Sequence, residues 1–275
     1  MLAVRYDWVS FTTDYGTGGG YVAMCKGVIA QIAPTVRVLD VSHDIGPQDI
    51  RGGATVLART VAYLPPAVHL AVVDPGVGGS RRAVVLTAPG GLLVGPDNGL
   101  LVPAADALGG VVAAHELVER RFQLPDVSMT FHGRDIFAPA AAHLADGIEP
   151  AEFGPAVAPA DLVRLPVPRT EAGDGWLTSE IVSADRFGNL ALAAGPDHLR
   201  TLGAPGDPLR VRLRRSTVEA RLGRTFTDVP GGSVVVYLGS SGQVAVAVNG
   251  GSAAEALGGA AGELTISRSP ATDGP

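Results

Sequence analysis

The hydrophobic rhythm of the chain changes once, near residues 164–175, and that change constrains the fold more than any other feature. Before it, apolar runs alternate between strand-like and helix-like periods. "WVSFT" (8–12) precedes "YVAMCKGVIAQIAP", where Val22, Cys25, Ile29 and Ile32 share one helical face and Pro34 ends the pattern. "VRVLDVS" (36–42) reads as a buried strand, residues 50–64 as a helix stopped at Pro65, and "VHLAVVD" (68–74) as a third strand. "RAVVLTAPGGLLVGPDNG" reads as a hairpin turning at Gly90 and Gly91, and residues 134–146 as a further helix. This alternation implies parallel strands in a sheet covered by helices. The stretch "RLPVPRTEAGDG" then reads as a linker, with two prolines, charges and little to bury. Beyond it, "LRVRLRRSTVEARL", "GSVVVYLG" and "GQVAVAVNGG" are short alternating strands separated by turn signals, the pattern of a small all-β barrel or sandwich. "AAEALGGAAG" reads as a short helix and a turn. The expected organisation is an α/β domain over residues 1–166 and an all-β domain over 167–275.

Composition narrows the partner. Hydrophobic residues make up 46% of the chain but aromatics only 5%, so the cores must be built from Val, Leu, Ala and Ile. A net charge of −6 argues against a broad nucleic-acid or membrane surface and favours a small molecule. Cys25 is the only cysteine, which rules out an intrachain disulfide and fits a reducing compartment. Residues 1–16 carry charges where a signal peptide would have its apolar core, and no stretch approaches 18 apolar residues. A cytoplasmic protein is expected.

Polar groups gather where strands end. In "VVDPGVGGSRRAVV" (72–85) an apolar strand runs into Asp74, a glycine turn follows, and Arg81 and Arg82 return behind it. Asp14 ends the first strand, the side of an open α/β sheet where ligands bind, and its carboxylate is able to accept two hydrogen bonds from a ribose diol. Capping the next helix is its plainer role. "GTGGG" (16–20) has neither dinucleotide-binding nor Walker spacing. Asp14, Asp40, His43, Asp74, Asp97 and His132 are ligand types, but no HExxH, HxH or closely paired Asp/His ligand motif occurs, so no metal and no cofactor are expected. No GxSxG elbow is present, and Cys25 lies on an apolar helical face, which disfavours a nucleophilic hydrolase.

Seven motifs, "FTTDYG", "YVAMCKG", "DVSHDIGPQDI", "VVDPGVG", "GPDNGLL", "TFHGRDIFAP" and "DRFGN", stand in the order of the S-adenosyl-L-methionine hydroxide adenosyltransferases, once called DUF62. The chain resembles that family over roughly residues 9–255. Its other relatives are the fluorinase and chlorinase that make 5′-halo-5′-deoxyadenosine. The resemblance implies an N-terminal α/β/α sandwich followed by a small C-terminal β-barrel, and conversion of S-adenosyl-L-methionine (SAM) and water to adenosine and L-methionine. It also implies a homotrimer whose sites lie between the N-terminal domain of one subunit and the C-terminal domain of the next.

By the same resemblance, Asp74, Arg81 and His132 form the catalytic set: Asp74 and His132 orient a water and take its proton, and Arg81 steadies developing hydroxide character. An arginine beside Asp74 makes it a weaker base, so Asp74 is read as orienter ahead of sole base. Asp14 matches the ribose-diol aspartate, Phe187 and Asn189 the adenine contacts, and Asp185 the holder of the methionine amino group. Ser240 matches the methionine-carboxylate site and Gly250 a backbone contact to adenine. The departures from the halogenases lie at the nucleophile end and, for one residue, in carboxylate recognition. Asp74 stands where they have tyrosine, Val77 where the fluorinase has threonine, and Gln48 where it has the pocket tryptophan. Gly133 replaces the fluorinase's halide-binding serine, as in the chlorinase, and Ser241 replaces an arginine of the carboxylate site. Two other functions remain in view: a synthase of 5′-chloro-5′-deoxyadenosine, and a low-turnover SAM or adenosine sensor.

Overall fold

The computed structural model describes residues 4–269. The chain divides into two compact units between Leu165 and Pro166.

The first unit runs β1 (Trp8–Thr13), α1 (Tyr21–Ile32), β2 (Arg37–Ser42), α2 (Ile50–Val61), β3 (Ala67–Val72), β4 (Ala83–Ala88), β5 (Gly91–Pro96), α3 (Val102–Ala107), β6 (Ala113–Glu116) and α4 (Ala138–Ala145). Its six strands lie in the order β2-β1-β3-β5-β4-β6. β1, β2, β3 and β5 are parallel, while β4 is antiparallel to both its neighbours. Alternate residues of each strand feed two cores. Val9, Phe11, Leu70 and Val72 meet Cys25 and Ile29 of α1 and the small residues of α4. Ala71, Val73, Leu86 and Leu93 meet Leu57 and Val61 of α2 and Ala104 and Ala105 of α3. The layers are therefore helix, sheet, helix, and β3, covered on both faces, is buried at every position.

Three local expectations change. β2 was expected to be buried, yet no residue of it is fully so, because it is the edge strand and pairs with β1 alone. α2 stops at Val61, three residues before the expected end: Pro65 forces Leu64 out of helical conformation, and the chain leaves through a turn. The helix expected over 134–146 begins as a wide π-helical turn, Gly133–Phe137, before α4.

The second unit runs β7 (Thr170–Gly173), β8 (Trp176–Ala184), β9 (Leu190–Leu192), α5 (Pro196–Arg200), β10 (Pro208–Leu213), β11 (Ser216–Leu222), β12 (Val234–Leu238), β13 (Val244–Val248), α6 (Ala253–Ala256) and β14 (Glu263–Arg268). The ring β8-β14-β10-β11-β12-β13-β9 closes back on β8, giving a seven-stranded barrel with no free edge, and β7 lies against the first half of β8. Period-two burial is clearest in β10, where Leu209, Val211 and Leu213 point inward and Pro208, Arg210 and Arg212 outward. The α/β/α sandwich followed by a β-barrel is the architecture expected from the sequence. The linker is shorter than expected, since residues 170–173 form β7 and Asp174-Gly175 is a two-residue hairpin turn into β8.

Candidate active site

Asp14 follows β1, and Asp74 lies two residues beyond β3, so both carboxylates emerge at the carboxyl end of adjacent parallel strands. Asn98 holds the end of β3 in place, its Nδ2 donating to the Val73 carbonyl at 2.9 Å. The turn after Asp74 closes through Val77 N to the Asp74 carbonyl and Gly79 N to the Gly76 carbonyl. Gly78, at φ +73°, rests on the neighbouring loop; a β-carbon there would lie 2.3 Å from the Met129 carbonyl oxygen. That loop is fixed in turn by Asp135, fully buried, which accepts from Arg134 Nε at 2.6 Å and from Ser128 N at 2.8 Å. These ties bring Arg81 and His132, 51 residues apart, onto Asp74.

Arg81 Nε donates to both Asp74 oxygens at 3.0 and 3.1 Å, its Nη2 donates to Asp74 Oδ2, and the same Nη2 lies 2.8 Å from His132 Nδ1. A guanidinium has no acceptor, so Nδ1 accepts and the His132 proton sits on Nε2. Burial lowers the His132 pKa, and the Arg81 charge lowers it further against the opposing pull of Asp74 and Asp135. His132 is thus a neutral ring with its N–H on Nε2. The Arg81 and Asp74 side chains are only 11% and 5% exposed. Asp74 and His132 line a cavity of about 260 Å³, shared with Asp14, Tyr15, Gln48 and Gly133.

Asp14 Oδ2 accepts from the backbone N of Gln48 at 2.9 Å. Gln48 is held at φ +63°, a left-handed conformation that costs a non-glycine residue energy and tends to mark functional loops. Behind Asp14 a directed chain of hydrogen bonds fixes the strand end: Tyr15 N donates to Thr13 Oγ1 (3.2 Å), Thr13 Oγ1 to His43 Nδ1 (2.9 Å), and His43 Nε2 to Asp40 Oδ1 (3.0 Å). His43 is thus a loop-fixing histidine. The Tyr15 ring packs against Tyr21 and Phe131 at centroid distances of 6.0 and 5.7 Å. Burial raises the Tyr15 pKa most, Cys25, Asp14 and Asp74 add to the rise, and Arg81 opposes it, so the phenol keeps its proton. The sequence reading assigned no part to Tyr15, Thr13 or Asn98, although all three lie inside the motifs that carry the resemblance.

In the barrel unit, Asp185, Phe187 and Asn189 form one tight loop. Asp185 Oδ1 accepts from Phe187 N (2.9 Å) and Asn189 N (3.0 Å), and Oδ2 from Asn189 Nδ2 (2.8 Å). The carboxylate therefore builds its own turn first and has about one lone-pair direction left for a ligand. Phe187 is 62% exposed, its outer face open and the Arg186 guanidinium 4.9 Å from its ring centre. Ser240 lies between β12 and β13, and Gly250 follows β13; both are exposed. Among the described residues no group of three or more His, Cys, Asp or Glu is arranged to hold a metal ion. Nor is any helix long and apolar enough to cross a membrane.

An α/β/α unit with carboxylates and a cavity at its strand ends, followed by a closed barrel with an exposed aromatic loop, has the layout of an enzyme acting on a small molecule. Residues 9–154 match the model of the SAM hydroxide adenosyltransferase N-terminal domain and residues 179–265 that of the C-terminal domain. The chain belongs to this family. It is 56% identical over 251 residues to the (R)-S-adenosyl-L-methionine hydrolase of Salinispora tropica, covering 91% of this chain and 94% of the relative. A fluorinase of an Actinoplanes species is 30% identical over 272 residues, covering 88% and 90%. The crystal structure of an uncharacterized conserved protein from Thermotoga maritima superposes with a TM-score of 0.87 at 34% identity, covering 94% of this chain and all of that one.

Proposed function

We propose that this protein hydrolyses SAM to adenosine and L-methionine, with a water held by Asp74 and His132 attacking ribose C5′ in line with the departing sulfur. The observation that carries the reading is the Arg81 guanidinium joined at once to Asp74 and His132 at the wall of a cavity shared with Asp14. As the water oxygen bonds to C5′, the C5′–S bond breaks, its electron pair stays on sulfur, and methionine leaves as a neutral thioether. No acid is needed for that leaving group. One proton must leave the water. His132 does not take it in the resting arrangement, because Nδ1 accepts from Arg81 and Nε2 already carries hydrogen. The ring instead donates to the water oxygen and fixes it. Asp74, with three of its lone-pair directions facing Arg81, accepts from the water through the remaining one and passes the proton to solvent. One free lone-pair direction is all that Asp74 offers. That suffices where the proton moves late, after the attacking oxygen has gained oxonium character and become strongly acidic.

Asp14 takes the ribose diol, Phe187 and Asn189 the adenine, Asp185 and Ser240 the methionine end, and Gly250 an adenine edge. These assignments rest on the family resemblance and on the exposure of the barrel loop. The same resemblance supports a cytoplasmic homotrimer whose sites combine the N-terminal domain of one subunit with the C-terminal domain of the next. The net charge of −6 supports a small-molecule substrate over nucleic acid. The carboxylate at the nucleophile end repels halide and so disfavours 5′-chloro-5′-deoxyadenosine synthesis. Incubation with SAM in H₂¹⁸O, with and without chloride and EDTA, tests the reading. Adenosine labelled at O5′, formed at the same rate in every arm, is expected; chloroadenosine as the main product, or no turnover, overturns it.

A further inference from the structure

The water in this reading has four tetrahedral directions, and only three are accounted for. One lone pair points at C5′, the other accepts from His132 Nε2–H, and one hydrogen goes to Asp74. The second hydrogen needs an acceptor, or the water is free to spin about its remaining bonds. Tyr15 shares the cavity with Asp74 and His132. A β-carbon on Gly133, the residue next to His132, would lie 2.0 Å from the Tyr15 hydroxyl oxygen and 3.0 Å from Cζ. The hydroxyl thus occupies the space that any side chain at position 133 would fill. It is not free to retreat: the ring packs against Tyr21 and Phe131, which themselves stack edge-on at 5.2 Å, and the backbone N is tied to Thr13.

We propose that Tyr15 is a fourth catalytic residue, whose hydroxyl oxygen accepts the second hydrogen of the attacking water, and that Gly133 is the residue that makes room for it. The proposal rests on the hydrolase reading above. The phenol stays protonated beside Asp14 and Asp74, so it retains lone pairs to accept with and adds no charge to the site. Asp74 and Tyr15 then both present lone pairs to the nucleophile. A water, with two hydrogens to give, satisfies both. A halide, which has none, leaves the acceptor-only Asp74 carboxylate unsatisfied, so that carboxylate also favours water at the site.

Tyr15→Phe removes the oxygen and leaves the ring in place. We expect kcat to fall ten- to a hundredfold while KM for SAM stays within threefold and the melting temperature is unchanged, as for loss of a contact to the nucleophile alone. Gly133→Ala puts a methyl group where the hydroxyl sits, so the same fall in kcat is expected with the phenol intact. In the Tyr15→Phe/Gly133→Ala double variant the collision is relaxed to the 3.0 Å contact with the ring carbon, and the alanine should cost less than a further threefold. Wild-type kcat in Tyr15→Phe, a raised KM with kcat unchanged, or a fully additive double variant each overturns the proposal. Failure of the wild-type protein to release adenosine would instead sink the hydrolase reading itself.

Discussion

Asp74→Asn separates a catalytic role for Asp74 from a merely structural one. The side chain keeps its shape and one acceptor oxygen but replaces the other with an amide that donates toward Arg81. Of the three contacts from Arg81 to the carboxylate, those to the replaced oxygen become donor against donor, and a nearly buried guanidinium loses its anion. Full removal of a partner from a buried pair costs about 3–5 kcal/mol. Retention of one charge-assisted acceptor returns part of that, leaving a loss of about 2–3 kcal/mol. For a chain of this length the melting temperature should drop by roughly 4–12 °C. Domains are commonly stable by about 5–15 kcal/mol, so the variant remains folded at 25 °C. Chemistry should suffer more. Loss of the group that accepts the water's proton is worth about 10²–10⁴-fold in kcat, or roughly 3–5 kcal/mol of barrier. SAM affinity should change little, because Asp74 faces the water. The assay is adenosine release by chromatography per folded molecule, beside a thermal melt and calorimetric SAM binding. A variant that melts early yet turns over within threefold of wild type per folded molecule would show the Asp74–Arg81 pair to be only a brace for the turn.

Because burial and Arg81 lower the His132 pKa, activity should decline on the acid side with an apparent pKa below the free-histidine value of about 6.5. In Asp74→Asn the residual activity should show this limb at still lower pH, since the opposing charge is gone; an unshifted limb in a kcat/KM profile would assign it to another group. Stability has the same sign. His132, His143 and His69, the last pushed down to about 4 by burial, favour the neutral form on folding. Their contribution is complete above pH 6.5 and is lost as pH falls from there toward the folded-state values, with urea midpoints as the readout. Asp14→Ala removes a charge-assisted acceptor of the ribose and the anchor of the Gln48 backbone, so the SAM dissociation constant should rise by about 1.5–3 kcal/mol, roughly 10- to 150-fold. Single-turnover rates at saturation should stay within a few fold; a collapse there with binding intact assigns Asp14 to the chemistry. If the sites are shared between subunits as proposed, separate expression of residues 1–165 and 166–275, or dilution to monomer, should abolish turnover, and a fully active monomer by light scattering would refute that proposal.

The layered fold was legible because burial imposes its period on the sequence: two-faced β3 is a continuous apolar run, while β10 alternates strictly. What escaped depends on position in the assembled sheet. Nothing in "VRVLDVS" says that β2 lies at an edge, and the Pro- and Gly-rich composition around β7 masks a strand whose hairpin signal, Asp174-Gly175, was nonetheless present. At the site, residue types were readable but their joining was not. Asp74 and Arg81 are close in sequence, yet the bond from Arg81 to His132 spans 51 positions and joins two loops that approach closely at Gly78 and Met129. Tyr15 was missed because an aromatic residue at a strand end reads as core packing. The left-handed Gln48 has no signature, glutamine being no commoner there than most residues.

The nucleophile end is built to handle hydrogens rather than negative charge. A halide site needs donors or positive charge aimed at the anion, and here the strongest cation available, Arg81, is turned away from that use: all its described hydrogen bonds go to Asp74 and His132. It holds the Asp74 carboxylate in place and occupies His132 Nδ1, which leaves the neutral ring a donor through Nε2. With the Tyr15 hydroxyl proposed above, the cavity then offers two acceptors and one N–H, which is the complement of a water molecule attacking through its remaining lone pair.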